Sequence, residues 1–293
     1  MKVEAECAVC LLQRGYMAAL EATDDQALQW KAMTALTRLL SREFKPNAVP
    51  AILGTKRDRI IKDITGNPDP YAKKKQTSNQ KAMTILPVAK KLVEKETSME
   101  SRFRKACMCC IVGNIIEFGI PGHRFEFEDI EKLIQTAEKQ LVIDQLSEIF
   151  SLAKKAKQVL YLTDNAGEIA FDTLLVRELK RLGARVTVAV KGKPIINDAT
   201  MQDAEYVKMH EIADDVITNG TDTVGLILEE CSERFLNLYD SADLIVAKGM
   251  GYAETLTELN LTRPHALLFR TKCSPVAKFF GTTKDKNVAK LLP

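Results

Sequence analysis

The chain has 293 residues, 46% hydrophobic and 28% charged, which suits one large or two ordinary folded domains and excludes a disordered or fibrous protein. Its 42 basic and 39 acidic residues leave a net charge of +3, too even to imply nucleic-acid binding; runs such as Lys73-Lys74-Lys75 read as solvated surface. No stretch reaches the roughly 18 apolar residues of a membrane span, and the start, Met1-Lys2-Val3-Glu4-Ala5-Glu6-Cys7, lacks a signal-peptide core, so a cytoplasmic protein without a membrane partner is expected.

Residues 1–150 read as an all-α domain. Apolar residues recur at helical spacing over Cys10–Leu20 and Ala27–Leu40, then over a short stretch at Ile60–Ile64. Two long helices follow over Asn79–Lys95 and Ser98–Phe118, and one or two more over Phe127–Phe150, with no convincing strand. Pro46, Pro50, Pro68 and Pro70 punctuate loops and helix starts.

The pattern changes over residues 151–293. Apolar runs at 159–163, 186–190, 216–217, 244–247 and 266–270 alternate with helical patterns at Ile169–Leu182, Thr223–Leu238 and Tyr252–Leu259. Continuous apolar strands alternating with helices indicate a mostly parallel sheet covered on both faces. The expected fold is a Rossmann-like three-layer α/β domain preceded by the all-α region.

A parallel sheet brings the loops that follow its strands to one rim, where open α/β sheets bind ligands. Those loops are Asp164-Asn165-Ala166-Gly167-Glu168, then Lys191 through Asp198, Thr218 through Asp222, Lys248 through Thr255, and Thr271 through Pro275. Asp164, Asn165 and Asp198 offer hard oxygen ligands that suit Mg²⁺ or Mn²⁺ better than zinc, and only three histidines are present. Lys248 and Lys272 are cations suited to a phosphate, and Gly167, Gly220, Gly249 and Gly251 offer backbone N–H groups to an anion. Metal, lysine and backbone amides together are the parts of phosphoryl chemistry. Taken singly, Asp164 or Asn197-Asp198 also reads as a helix cap, the glycines as turns and the lysines as surface. Neither the dinucleotide fingerprint nor a Walker pattern is present, so a nucleotide cofactor is weakly supported.

These segments, with Lys193-Pro194-Ile195-Ile196-Asn197-Asp198, Lys248-Gly249-Met250-Gly251-Tyr252-Ala253-Glu254-Thr255 and Lys272-Cys273-Ser274-Pro275, resemble the motifs of the metal-dependent damage-control phosphatases, the ARMT-like family. Cys7-Ala8-Val9-Cys10, Asp69-Pro70-Tyr71, Ser78-Asn79 and Gly113-Asn114 match as well, and the early cysteine pair is similar to the prokaryotic stand-alone branch. The resemblance implies a phosphomonoester hydrolase acting on small phosphorylated metabolites, sugar phosphates or damaged phosphometabolites. It implies a divalent metal (Mn, Co, Ni or Mg) on Asp164, Asn165 and Asp198, with Asp164 and Lys272 as catalytic residues. Asn79, Asn114, Gly167, Glu168, Asn197, Lys248, Gly249 and Glu254 are then expected to border the substrate, Glu168 either as a partner of the ligands or as a first-turn helix charge. Attack by water is preferred over attack by Asp164 itself.

Two other classes stay open on the residues alone: a methyltransferase using S-adenosylmethionine, and a non-catalytic module that binds phosphorylated ligands. The cysteines also leave alternatives. Cys7 and Cys10, with Cys107, Cys109 and Cys110, read as small buried thiols, or as a disulfide or second metal site where the two helices meet. The oligomeric state is not legible.

Overall fold

The computed structural model describes residues 1–116 and 127–293, and the side chains of 114–130 lie outside the description. Helical periodicity at the start of the chain becomes α1 (Ala5–Ala22), α2 (Gln26–Glu43), α3 (Pro50–Thr65), α4 (Ala72–Lys95) and α5 (Met99–Ile116). Local chemistry sets their ends. Asp25 caps α2 by accepting the Ala27 N–H at 2.8 Å. Pro50 opens α3 where no backbone donor is needed, and Gly66 closes it in the left-handed region at φ 69°. The helix read at Ile60–Ile64 is thus the second half of a longer one.

The run read as helix over Phe127–Phe150 is α6 (Phe127–Lys139), strand β1 (Leu141–Asp144) and α7 (Leu146–Ala153). The expectation of no strand before residue 150 is therefore corrected. Four residues with alternating partial burial at a sheet edge leave too weak a period-two signal to separate from the flanking helices.

The chain continues as β2 (Gln158–Leu162), α8 (Glu168–Arg181), β3 (Arg185–Val190), α9 (Met201–Tyr206), β4 (Asp215–Thr218), α10 (Glu233–Ser241), β5 (Leu244–Lys248), α11 (Met250–Leu256), β6 (His265–Arg270), α12 (Ser274–Phe279) and β7 (Asn287–Leu292). The helix expected over Thr223–Leu238 is a loop, a single 3₁₀ turn at Leu228–Glu230 and then α10, which Ser232 caps by accepting the Phe235 N–H. Ser232 is what starts the helix late.

The described strands form one sheet in the order β1-β7-β6-β5-β2-β3-β4. The pairs β6–β5, β5–β2, β2–β3 and β3–β4 are all parallel, while β7 runs antiparallel to β6 and parallel to β1. A mostly parallel sheet flanked by helices is the Rossmann-like arrangement. The chain leaves β2 toward β3 on one side and comes back to β5 on the other. The carboxyl ends of β2 and β5 therefore flank the switch point, where the adjacent loops diverge and leave a crevice.

One face of the sheet packs against α4–α8. Gly113 on α5 has no β-carbon, and one would press within 2.8 Å of the Phe171 ring on α8. Helices α1–α3 pack on one another through Leu11, Leu36, Leu40 and Leu53, and α3 is stitched to the rim of the sheet. Thr55 Oγ1 accepts the Val224 N–H at 2.9 Å, Asp58 Oδ2 accepts the Ile196 N–H at 3.2 Å, and Lys62 Nζ donates to Pro194 O and Asp222 Oδ2, both at 2.7 Å. This roofs the crevice with helix. Among the described residues, no helix is long and apolar enough to cross a membrane.

Candidate active site

The loops after β2 and β3 are sewn together by their backbones. Ala166 N–H donates to Asn197 O at 2.9 Å and Ala199 N–H to Asp164 O at 2.8 Å, with a bridge between Asn165 and Asp198. Two loops more than 30 residues apart in sequence thus present Asp164, Asn165 and Asp198 side by side. All three line a cavity of about 270 Å³ under α1 and α3, together with Asn197, Glu254 and Lys272.

Asn165 Nδ2 donates to Asp164 Oδ2 at 2.9 Å and to Glu168 Oε2 at 3.1 Å, which leaves its carbonyl oxygen as the atom available to a cation. Burial pushes the Asp164 carboxyl well above the usual carboxylate range, and the charges of Glu168 and Asp198 push it further, against Lys272 and Lys248. Burial likewise lifts Asp198 to about 6, although Lys191, 3.5 Å away, pulls it down. Two carboxylates, Asp198 buried and Asp164 half-buried, and an amide oxygen line one space as a hard-oxygen donor set, and a cation there would offset their repulsion; the residues fit a divalent metal. Among the described residues there is no group of three or more His, Cys, Asp or Glu side chains arranged for a metal, so this set is distinguished by its amide member.

Other residues expected at the site have different surroundings. Lys248 is fully buried behind the cavity, its ammonium bonded to Glu168, to Asp172 at 3.1 Å and to the Cys110 carbonyl at 3.1 Å. It is the counter-ion of two buried carboxylates and does not line the cavity. Glu168 accepts from both Lys248 and Asn165, so the first-turn helix charge is also the group that orients the amide. The Gly167 N–H is taken by Asn79 Oδ1 at 2.7 Å, and Asn79 Nδ2 donates to Asp203 at 2.7 Å. Asn79 therefore braces the loop that carries Asp164, and Gly167 has no N–H left for an anion. The Gly249 N–H is likewise taken, by Leu268 O at 3.1 Å. The Asn114 side chain lies outside the described residues.

Sequence reasoning passed over Lys191, Arg14, Arg57 and Asp58. Lys191 is buried beside Asp198, 4.8 Å from the centre of the Tyr252 ring, and donates to Gly225 O at 2.8 Å. Arg57 and Asp58 follow Leu53 and Gly54 and precede Ile61 at helical spacing, so two charges occupy the buried stripe of α3. Charges in an apolar stripe were the available signal. Arg14 and Arg57 line the cavity from α1 and α3.

The cysteines fall into separate groups, and all seven are free thiols. Cys7, Cys10 and Cys273 line the cavity, whereas Cys107, Cys109 and Cys110 are buried in the core with α8. Burial raises the thiols of the second group, Cys109 to about 12, which makes them inert packing groups.

Residues 3–288 match the damage-control phosphatase ARMT1-like domain. The chain belongs to the ARMT1-like damage-control phosphatase family. It is 38% identical over 295 residues to a damage-control phosphatase of Archaeoglobus fulgidus, covering 100% of each chain. It is 40% identical to an uncharacterized protein of Methanocaldococcus jannaschii, over 98% of this chain and 95% of that one. The crystal structure of a DUF89 family protein from Pyrococcus horikoshii superposes with a TM-score of 0.86 at 34% identity, covering 99% of this chain and 98% of that one. Family membership supports a phosphatase-type hydrolytic function, with a small phosphorylated metabolite as the substrate.

Proposed function

We propose that the protein is a metal-dependent phosphomonoester hydrolase acting on small metabolites, sugar phosphates or damaged phosphometabolites, with Mn²⁺, Co²⁺, Ni²⁺ or Mg²⁺. The observation that carries this reading is the convergence of Asp164, Asn165 and Asp198 with Lys272 on one cavity. A divalent cation held by the first three would stabilise negative charge on the phosphoryl oxygens. Lys272 lines the same space and balances the charge of the transferring group. Glu168 fixes the amide of Asn165, and Asn79 fixes the backbone of Gly167, so the ligand-bearing loop is preorganised. Water attacks the phosphorus in line with the leaving oxygen; a trapped phosphoryl group on Asp164 would overturn that choice in favour of a covalent route.

The test is phosphate release from p-nitrophenyl phosphate with Mn²⁺, Co²⁺ or Ni²⁺. Asp164→Ala and Asp198→Ala should each abolish release while the circular dichroism spectrum is retained. Release that survives a chelator and both substitutions would sink the reading.

A further inference from the structure

The Arg57 side chain is only 4% exposed and makes only a loose 4.0 Å ion pair with Asp58. Its Nε is buried with no hydrogen-bond partner among the described residues. Asp58 Oδ1 stands 4.0 Å from the guanidinium, too far for a hydrogen bond. The two carboxyl groups nearby are engaged elsewhere: Asp58 Oδ2 accepts the Ile196 N–H, and Glu254 accepts the Ala51 N–H. A buried guanidinium Nε without a hydrogen-bond partner is costly, and the donors of an arginine are rarely left unused.

The surroundings are built to admit this side chain. Gly15 on α1 has no β-carbon, and one there would sit 3.4 Å from Arg57 Cδ and collide with Leu36. The next residue back along α1 is Arg14, a second cation on the wall of the same cavity. The charges that act most strongly on Arg57 are those of Asp58 and Arg14, whereas those acting on Asp164 are Glu168, Asp198, Lys272 and Lys248. The two arginines enter the cavity from α1 and α3, with Glu254 close enough to feel both charges, whereas Asp164, Asn165 and Asp198 enter it from the loops after β2 and β3. A planar guanidinium with open donors recognises carboxylate or phosphate. A cavity of about 270 Å³ takes a molecule the size of a sugar.

We propose that Arg14 and Arg57 form a second anion subsite, so that the substrate is a small phosphate monoester carrying a second anionic group, a carboxylate or another phosphoryl group, at the end remote from the ester being cleaved. The proposal rests on the phosphatase reading for its reacting end only. The second anion docks on the guanidinium groups, while the scissile phosphate faces Lys272 and the Asp164, Asn165 and Asp198 set.

The test uses the full chain in Mn²⁺ and two pairs of probes. Fructose 1,6-bisphosphate against fructose 1-phosphate reports a second phosphoryl group, and 6-phosphogluconate against glucose 6-phosphate reports a carboxylate. Dissociation constants from calorimetry and released phosphate are measured for each. The member of at least one pair that carries the second anionic group should bind about tenfold tighter than its uncharged-tailed partner. Arg14→Gln, at an exposed position where the fold is not at stake, should erase most of that ratio, and Arg57→Met should do the same. Equal affinities within both pairs, or a preference untouched by Arg14→Gln, overturn the proposal. A preference that is present and erased by Arg14→Gln, without phosphate release from any compound, supports the subsite and sinks the phosphatase reading instead.

Discussion

Gly249 runs so close beneath Asp164 that a β-carbon on it would overlap the Asp164 carboxylate. The glycine joins β5 to α11 and sits at φ 90°, a conformation that side chains resist, so both backbone shape and space require it. The carboxyl group is thereby set by the neighbouring strand as well as by its own loop. Gly249→Ala should therefore cost about 1–3 kcal/mol of stability through its backbone. It should also displace Asp164 and lower metal-dependent phosphate release by about a hundredfold or more. Urea unfolding and p-nitrophenyl phosphate turnover read the two effects separately. An active Gly249→Ala protein would show that the Asp164 position is not critical.

Asp164 and Asp198 repel each other in a buried space, which gives a prediction independent of turnover. A cation at about a hundred times its Kd should stabilise the wild-type protein by about 2.7 kcal/mol. Asp164→Asn relieves the repulsion that burial and Glu168 impose, so in chelator it should be no less stable than wild type. Its melting temperature should no longer respond to Mn²⁺. A Mn²⁺ response equal to that of wild type would place the cation elsewhere.

The two lysines at strand ends should separate by phenotype. Lys248 neutralises Glu168 and Asp172, both buried, and Lys248→Met leaves that pair unmatched at a cost of about 3–5 kcal/mol. Lys272 is half-buried on the cavity wall, so Lys272→Met should change stability by less than about 1 kcal/mol while phosphate release falls steeply. Measuring unfolding free energy and kcat/KM on both variants decides it. Equal loss of stability in the two would erase the distinction.

That distinction was not legible in the sequence, where each lysine simply falls in the polar segment that follows an apolar run. A strand's side chains alternate between faces, and nothing local says whether the last one meets the rim or the layer behind it. Asp164 and Asn165 were legible because strand, polar turn and helix follow in one stretch. Asp198 came with the loop after the next strand, which a parallel sheet must place on the same rim. Arg14 and Arg57 belong to helices that reach the rim only through tertiary packing, so their position depends on contacts such as Thr55 with Val224. The edge strand β1 and its neighbour β7 lack the long apolar runs of the central strands, and β1 was lost between stronger helical signals. The parallel core was read well because burial on both faces writes itself as uninterrupted Val, Ile and Leu.

His265 opens β6 and is 0% exposed, with Nε2 2.8 Å from the Tyr239 hydroxyl and Nδ1 2.8 Å from the Arg263 carbonyl. A neutral ring satisfies both contacts: Nδ1–H donates to the carbonyl and Nε2 accepts the hydroxyl proton. Burial lowers its pKa to about 4, the Arg263 charge adding to this against the backbone hydrogen bond. The unfolded chain takes up the proton near pH 6.5 and the folded one only near 4, so the contribution is intact above 6.5 and is lost as pH falls between those values. The loss should amount to about 3 kcal/mol by pH 4. Urea midpoints at pH 7.5 and 4.5 for wild type and His265→Gln test this, because the carboxylates titrate in both proteins and the histidine in one. The wild type should lose more stability on acidification than the variant, and parallel pH dependence would refute the assignment.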